Sequence, residues 1–452
     1  MNPIKKISLI FIICAGLFAA TSTMNPTLRS ISAAVEAVPG AWVSKEIVVT
    51  EVNNSEFEPA VAFNWKHNEY LVVWRGYDGI YGQRVSSTGK LVGPKSFAIA
   101  TGPNTRRSPS VDYDPVHDHY LVVWAYDKGS PEGWNINGCI IPWEAPDTSL
   151  PEIEIITLFT DQEQPKVVYG RAQEEFMVVW ANKESAQNKS EIYAARLKSS
   201  DGAAPAGVNP SRVSKAGEYC EHPDVAYNKK RNEYLVVWDV QKSPLNLDVY
   251  GVRLTGNGQV IANEVIGIAG WPNNEGTPAA AACGDEDQYL VAWHSEVSLT
   301  NWDIYARVVF GDAVLSKIVH KIEWTPVNEL YPDAVCNHNG GQFLVVWQQQ
   351  YSSTSGPYAI SGRFVYPELG GGSILRCTDC LEAPDKPGTM SDIFVIIAPT
   401  VGDPSRTKPA AAGGIGDYMV VWEHLRKGST DQDIHGKMVM PGANFLPLVI
   451  RK

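Results

Sequence analysis

A run of apolar residues returns seven times along this chain, each time opened by an aromatic ring and closed by tryptophan: Tyr70–Trp74, Tyr120–Trp124, Phe176–Trp180, Tyr234–Trp238, Tyr289–Trp293, Phe343–Trp347 and Tyr418–Trp422, most often as Tyr-Leu-Val-Val-Trp. A strand points successive side chains to opposite faces, so an unbroken apolar run on a strand requires cover on both. The pattern therefore predicts seven strands, each pressed between two neighbours.

Polar and turn-forming residues place the other strands. A proline stands eleven residues before the aromatic in six copies (Pro59, Pro109, Pro165, Pro223, Pro278, Pro332) and nine before it in the seventh (Pro409). A short strand follows it, as in Pro59–Phe63 or Pro223–Tyr227, and then a polar hairpin such as Asn64–Glu69, which makes strands one and two an antiparallel pair. Beyond each tryptophan, a polar loop of variable length leads to a third strand: Ile80–Val85, Ile192–Leu197, Val249–Leu254, Ile304–Val308 and Ile434–Val439, with degenerate copies around Ile136–Ile141 and Tyr358–Val365. A fourth apolar segment follows, as at Phe97–Ala100, Glu264–Ala269 and Ile393–Ile397. Each unit reads as a four-stranded antiparallel meander.

The tryptophans are 50, 56, 58, 55, 54 and 75 residues apart. That is too short for a sandwich of about 100 residues and too long for one coil of a β-helix, and it fits one propeller blade. The expected fold is all-β: a seven-bladed β-propeller of four-stranded antiparallel blades, with the tryptophans as inter-blade core. An eighth copy of the fourth segment predicts how the ring closes. Glu46–Thr50 precedes the first unit and Phe445–Ile450 ends the last, so the N- and C-terminal strands are expected to meet in one blade and leave no open edge.

Composition adds limits. The 452 residues carry a formal charge of -12, which repels a phosphate backbone and makes nucleic acid an unsuitable partner. Two lysines within Met1–Lys6 precede the uncharged run Ile7–Ala20, the layout of an export signal. Residues 1–37 are read as signal peptide and leader, cut after Ser22 or Ala37, and 38–452 as a single propeller, monomeric and secreted to the extracellular space or periplasm. No later run is long enough for a membrane span. Six cysteines follow the leader, and Cys377 and Cys380 form the one local disulfide candidate, no second Cys/His pair at zinc spacing accompanying them. No metal ligand set or cofactor is assigned. Calcium is weighed at Asp431–Asp433 and Gly284–Asp287, neither of which has the EF-hand pattern.

The succession Pro-x-Val-Ala-Tyr-Asn, Tyr-Leu-Val-Val-Trp and Asp-Ile-Tyr-Gly-x-Arg resembles repeats of secreted prokaryotic β-propeller proteins, over residues 46–450. The resemblance implies a fold and no reaction. Kelch and WD40 signatures are missing.

Function is expected where the repeat varies. Loops between strands two and three, and crossovers between blades, emerge on one face around the channel. They carry Tyr77, Tyr126, Trp134, Trp271, His294, Trp302, Tyr351, Glu423 and His424, and aromatic rings beside polar groups suit a sugar or a protein epitope. The longest departure, an insertion at about 366–392, adds glycine, proline and both candidate cysteines. No acid and nucleophile pair recurs in a recognisable motif. The expected function is a secreted scaffold recognising protein or glycan; the alternative is a carbohydrate-active hydrolase or lyase on the same fold.

Overall fold

In the computed structural model, the described residues are 35–38 and 41–441, apart from short loop stretches and the longer segments 366–393 and 398–405. Tyr351, Cys377, Cys380, residues 1–34 of the leader, the insertion and Phe445–Ile450 lie outside them.

Seven antiparallel sheets follow one another. Blade one holds β4 (Phe57–Asn64), β5 (Glu69–Arg75), β6 (Gly79–Ser86) and β7 (Leu91–Thr101), after the N-terminal strands β1 (Val35–Val38), β2 (Ala41–Ser44) and β3 (Ile47–Val48). Blade two holds β8 (Arg106–Asp114), β9 (His119–Asp127), β10 (Trp134–Pro142) and β11 (Ile153–Ile156); blade three, β12 (Asp161–Gly170), β13 (Glu175–Glu184), β14 (Lys189–Lys198) and β15 (Ser211–Arg212). Blade four holds β16 (Cys220–Asn228), β17 (Glu233–Ser243), β18 (Asn246–Thr255) and β19 (Ile266–Ala269); blade five, β20 (Glu275–Ala282), β21 (Gln288–Ser298), β22 (Asn301–Phe310) and β23 (Leu315–Lys321). Blade six holds β24 (Glu329–Cys336), β25 (Phe343–Gln350), β26 (Tyr358–Val365) and β27 (Phe394–Ile397); blade seven, β28 (Arg406–Gly413), β29 (Tyr418–Leu425) and β30 (Gln432–Pro441). The two degenerate third strands form in register, as β10 and β26.

The doubly apolar runs do what their pattern requires. Tyr70, Val72 and Trp74 pack on Met419 and Val421 of blade seven, while Leu71 and Val73 pack on Val111 and Tyr113 of blade two. All seven motif tryptophans are fully buried, each in a separate cluster shared with the preceding blade. Seven clusters for seven junctions means a closed ring.

Closure is made by the N-terminal strands. Ile47 and Val48 pair with Gly436 and His435, and Ala41–Val43 pair with Val439–Pro441, so β3 and β2 complete blade seven along β30. Ala41, Val43, Ile47 and Val49 are buried in the clusters on its two sides. The first strand of every blade is innermost and touches its counterparts on both sides. Its open edge exposes N–H groups to the channel, and aspartates of alternate blades receive some of them: Asp112 from Tyr169 (2.7 Å), Asp224 from Ala280 (2.8 Å) and Asp333 from Ala411 (2.7 Å). Among the described residues no helix is long and apolar enough to cross a membrane.

Candidate functional site

Each innermost strand carries a bulge at its repeat proline. The residue before it has positive φ in all seven blades: Glu58 (54°), Ser108 (53°), Gln164 (54°), His222 (49°), Thr277 (45°), Tyr331 (53°) and Lys408 (49°), and pairing shifts at the same place. Such a conformation costs on the order of 1–3 kcal/mol per residue. It turns the N–H out of the ladder, beside a proline that has none, and toward the preceding blade.

Side chains of that blade receive it. Glu423 accepts from Glu58 N (2.8 Å), Glu58 from Ser108 N (2.7 Å), Gln164 from His222 N (2.8 Å), Asp239 from Thr277 N (3.0 Å), His294 from Tyr331 N (3.4 Å) and Gln348 from Lys408 N (3.1 Å). Between blades two and three an Arg107–Glu163 ion pair (2.5 Å) spans the junction instead. The result is a polar ring around one mouth of the channel. It lies on the face that carries the loops between strands two and three, where the sequence places the binding surface.

One arc of the ring holds more than structural acceptors. Asp239 Oδ2 bonds His222 Nδ1 at 2.8 Å, and His294 Nδ1 lies 2.9 Å from Thr277 Oγ1. Because the Tyr331 N–H can only donate, His294 Nδ1 is the acceptor and Nε2 carries the proton. Burial pushes His294 down to about 4, so it is neutral. His222 behaves oppositely: burial opposes its charge, but the Asp239 carboxylate overcomes this and holds the imidazole above its ordinary value. The His222 side chain is 44% exposed and Tyr331 43%. A Cβ on Gly276 would stand 3.2 Å from Asp239 Oδ2 and 3.3 Å from His294 Nε2, so glycine keeps the space between them open. Lys183 flanks the arc, pairing Glu221 (2.5 Å) and Glu163 (3.0 Å).

The sequence-predicted residues divide. His294 belongs to this arc and Trp302 packs edge-on against it, ring centroids 4.9 Å apart. Glu423 is in the ring as a buried acceptor that also takes the Thr407 hydroxyl. Trp134 lies under the Arg107 guanidinium (3.7 Å), and Tyr126 lies under Arg106 while accepting from Asn104. Tyr77 is 84% exposed. Trp271 stands apart, over Tyr305, at a cavity of about 400 Å³ lined also by Asp248, Tyr250 and Arg307. His424 stacks on His435 at 4.1 Å, and Glu46 of the closing segment reaches both, at 3.9 Å from His424 Nδ1 and 2.8 Å from His435 Nδ1. Of the carboxylates weighed for calcium, Asp433 pairs with Arg426 and Asp287 with Arg231.

Sequence reasoning missed His222, Asp239's role as its partner, Thr277 and Tyr331. The signal was present, since all but Asp239 stand before a repeat proline and Asp239 directly follows a repeat tryptophan. It also left unpaired the cysteines that the structure joins, Cys283 and Cys336, with Cα atoms 5.1 Å apart at the ends of β20 and β24. A cavity of about 370 Å³ in the channel lies toward the opposite, hairpin end, lined by Trp65, Asp112, Arg171 and Asn337 among others.

No family model and no curated protein sequence matches the chain. Solved structures of similar shape include a polysaccharide lyase, Uly1, at 9% identity and TM-score 0.52, covering 88% of this chain and 99% of that one. Others are a subtype N10 neuraminidase-like protein of A/little yellow-shouldered bat/Guatemala/060/2010, at 10% identity and TM-score 0.42 over 88% and 98%, and an α-L-arabinofuranosidase from Lactobacillus brevis, at 11% identity and TM-score 0.35 over 56% and 86%.

Proposed function

We propose that this is an exported carbohydrate-active propeller that cleaves an acidic polysaccharide by elimination, with His222 as a proton-transfer group. The observation that carries the reading is the His222–Asp239 pair: a solvent-reachable imidazole at the channel mouth, bonded at 2.8 Å to a carboxylate that favours its protonated form. In elimination a base removes the proton beside the uronate carboxyl, the released electron pair forms the ring double bond, and the C–O bond to the leaving sugar breaks. The leaving oxygen takes its proton from an acid, the role His222 suits. Tyr331, exposed on the next junction, stands beside the same arc.

Hydrolysis asks for different furniture. It needs a protonated carboxyl and a second carboxylate flanking the bond. The carboxyls pushed to about 7 or above, Glu56, Glu275 and Glu329, are buried beneath the loops, while Glu58 and Glu423 on the face are occupied by backbone N–H groups. The similarity in shape to a polysaccharide lyase supports the reading at the level of fold. The Met1–Ala20 pattern supports export.

The test is incubation with a panel of uronate polymers, following ultraviolet absorbance of the unsaturated product and, in parallel, new reducing ends. Expected are both signals together, and a loss of about 10²–10⁴-fold in His222→Gln. Reducing ends without unsaturation would replace elimination by hydrolysis. Glycan retention without turnover would return the protein to the recognition scaffold its loops first indicate.

A further inference from the structure

The hairpin of blade two breaks the repeat in a way the proposed function does not use. In blades one and four the hairpin opens with Asn64 or Asn228, whose Oδ1 accepts the N–H groups of Lys66 (3.1 Å) and His67 (3.0 Å), or of Lys230 (3.0 Å) and Arg231 (3.2 Å). It closes with a glutamate salt-bridged to an arginine on strand three: Glu69–Arg84 at 2.8 Å and Glu233–Arg253 at 3.0 Å. Blade two reads Asp114-Pro-Val-His117-Asp-His119. Ile140 holds the register position of the arginine, opposite Leu121 as Arg84 is opposite Leu71. The ion pair of blades one and four is absent here, as it is from blades five to seven, where Val308, Phe364 and Met438 hold the arginine position; only in blade two do a carboxylate and two imidazoles gather in the hairpin.

These three side chains converge. Asp114 keeps the turn with one oxygen, accepting the Val116 N–H at 2.7 Å. Its other oxygen, Oδ2, lies 2.6 Å from His117 Nδ1 and 3.5 Å from His119 Nε2, and one ligand atom from each residue fits within 4.8 Å of the others. His119 Nε2 is buried with no hydrogen-bond partner, in a side chain only 9% exposed and aimed at that carboxylate. The His119 ring also bonds the backbone of Ser199 on blade three, leaving Nε2 for the cluster; this is the outer support that orients a metal-bound histidine. Phe176 covers the inner side of His119, and His117, 38% exposed, opens the outer side.

We propose that Asp114, His117 and His119 bind a zinc-class divalent metal ion at the hairpin edge between blades two and three. Two imidazoles and one carboxylate on an N/O set select zinc and its neighbours over calcium or magnesium, which take oxygen. Three ligands from six consecutive residues need little ordering, and the side toward His117 leaves a coordination position open. Metal here fixes the blade-two hairpin, whose His117 and His119 also reach Ser199 in the turn after β14.

Full-length protein freed of metal by chelator is titrated with zinc chloride by calorimetry, and its melting temperature is measured with and without zinc. The key variant is His119→Glu with Ile140→Arg, which rebuilds the ion pair of blades one and four and so keeps the blade folded. Expected are zinc uptake by the wild type, a higher Tm reversed by chelator, and loss of one bound zinc, or at least a 100-fold weaker site, in the double variant. Calcium is expected to leave Tm unchanged. Parallel titration of His424→Ala separates out any zinc held by Glu46, His424 and His435. The proposal is overturned if wild type takes up no zinc, or if the double variant binds it with unchanged stoichiometry and affinity.

Discussion

Glu329 makes stability depend on pH in a direction opposite to ordinary acid denaturation. It stands three residues before Pro332, fully buried. Burial first, then the nearby Glu323 and Asp303 carboxylates, push its carboxyl up to about 9, against the Thr325 hydroxyl that lowers it. In the unfolded chain the group returns to about 4.5. Between those values the native state binds a proton that the unfolded state has released, so stability is greatest at low pH and falls as pH rises through this window. At pH 8 the loss has an upper bound of about 5 kcal/mol, at 1.36 kcal/mol per pH unit. Glu329→Gln carries the shape of the protonated acid and nothing to ionise. It is expected to match wild type at pH 4 and to exceed it at pH 8, by as much as roughly 5 °C in Tm for a domain of this size. Scanning calorimetry from pH 4 to 9 decides it. Parallel pH profiles for the two proteins would falsify the reasoning, because the buried carboxyl would then contribute no linked proton.

Two further expectations concern how the ring is held. Deleting residues through Val49 takes Ala41, Val43, Ile47 and Val49 out of two inter-blade clusters and leaves β30 an open edge, so Tm is expected to drop sharply and light scattering to rise on heating; an unchanged melt would mean that β28–β30 close the ring without them. The Cys283–Cys336 disulfide closes 53 residues between neighbouring blades, and replacing both cysteines by alanine is expected to cost about 2–4 kcal/mol in denaturant unfolding, whereas a cost near zero would mean the blade interface already fixes both ends.

The blades were legible because their central strand is buried on both faces, and that demand is written in consecutive residues: Leu71 and Val73 toward one neighbour, Tyr70, Val72 and Trp74 toward the other. Strand four was legible more weakly, yet Phe394–Ile397 forms as read. The site was another matter. Proline marked the bulge in every copy, but pattern alone does not reveal that the residue before it turns to positive φ, or that its N–H seeks an acceptor one blade back. Glu423 therefore looked like a loop residue offered to a ligand and is a buried acceptor instead. His222 and Asp239, seventeen residues apart in sequence, meet only because β16 and β17 pair with a bulge between Glu221 and Asp224. Cys283 and Cys336 meet because adjacent innermost strands end side by side, a relation between blades that no single repeat contains.

Ring closure by the N-terminal strands also sets an order of events. β2 and β3 are made before any blade, and their partner β30 is made after the last tryptophan motif. The segment made first is thus among the last to dock, so a chain synthesised N-terminus first holds β3, and the edge of β2 that faces β30, without a partner until its far end arrives. Joining ends so distant is also entropically slow. The seventh blade is consequently the last step of assembly: a chain truncated before β30 leaves β2 and β3 without the strand they pair with.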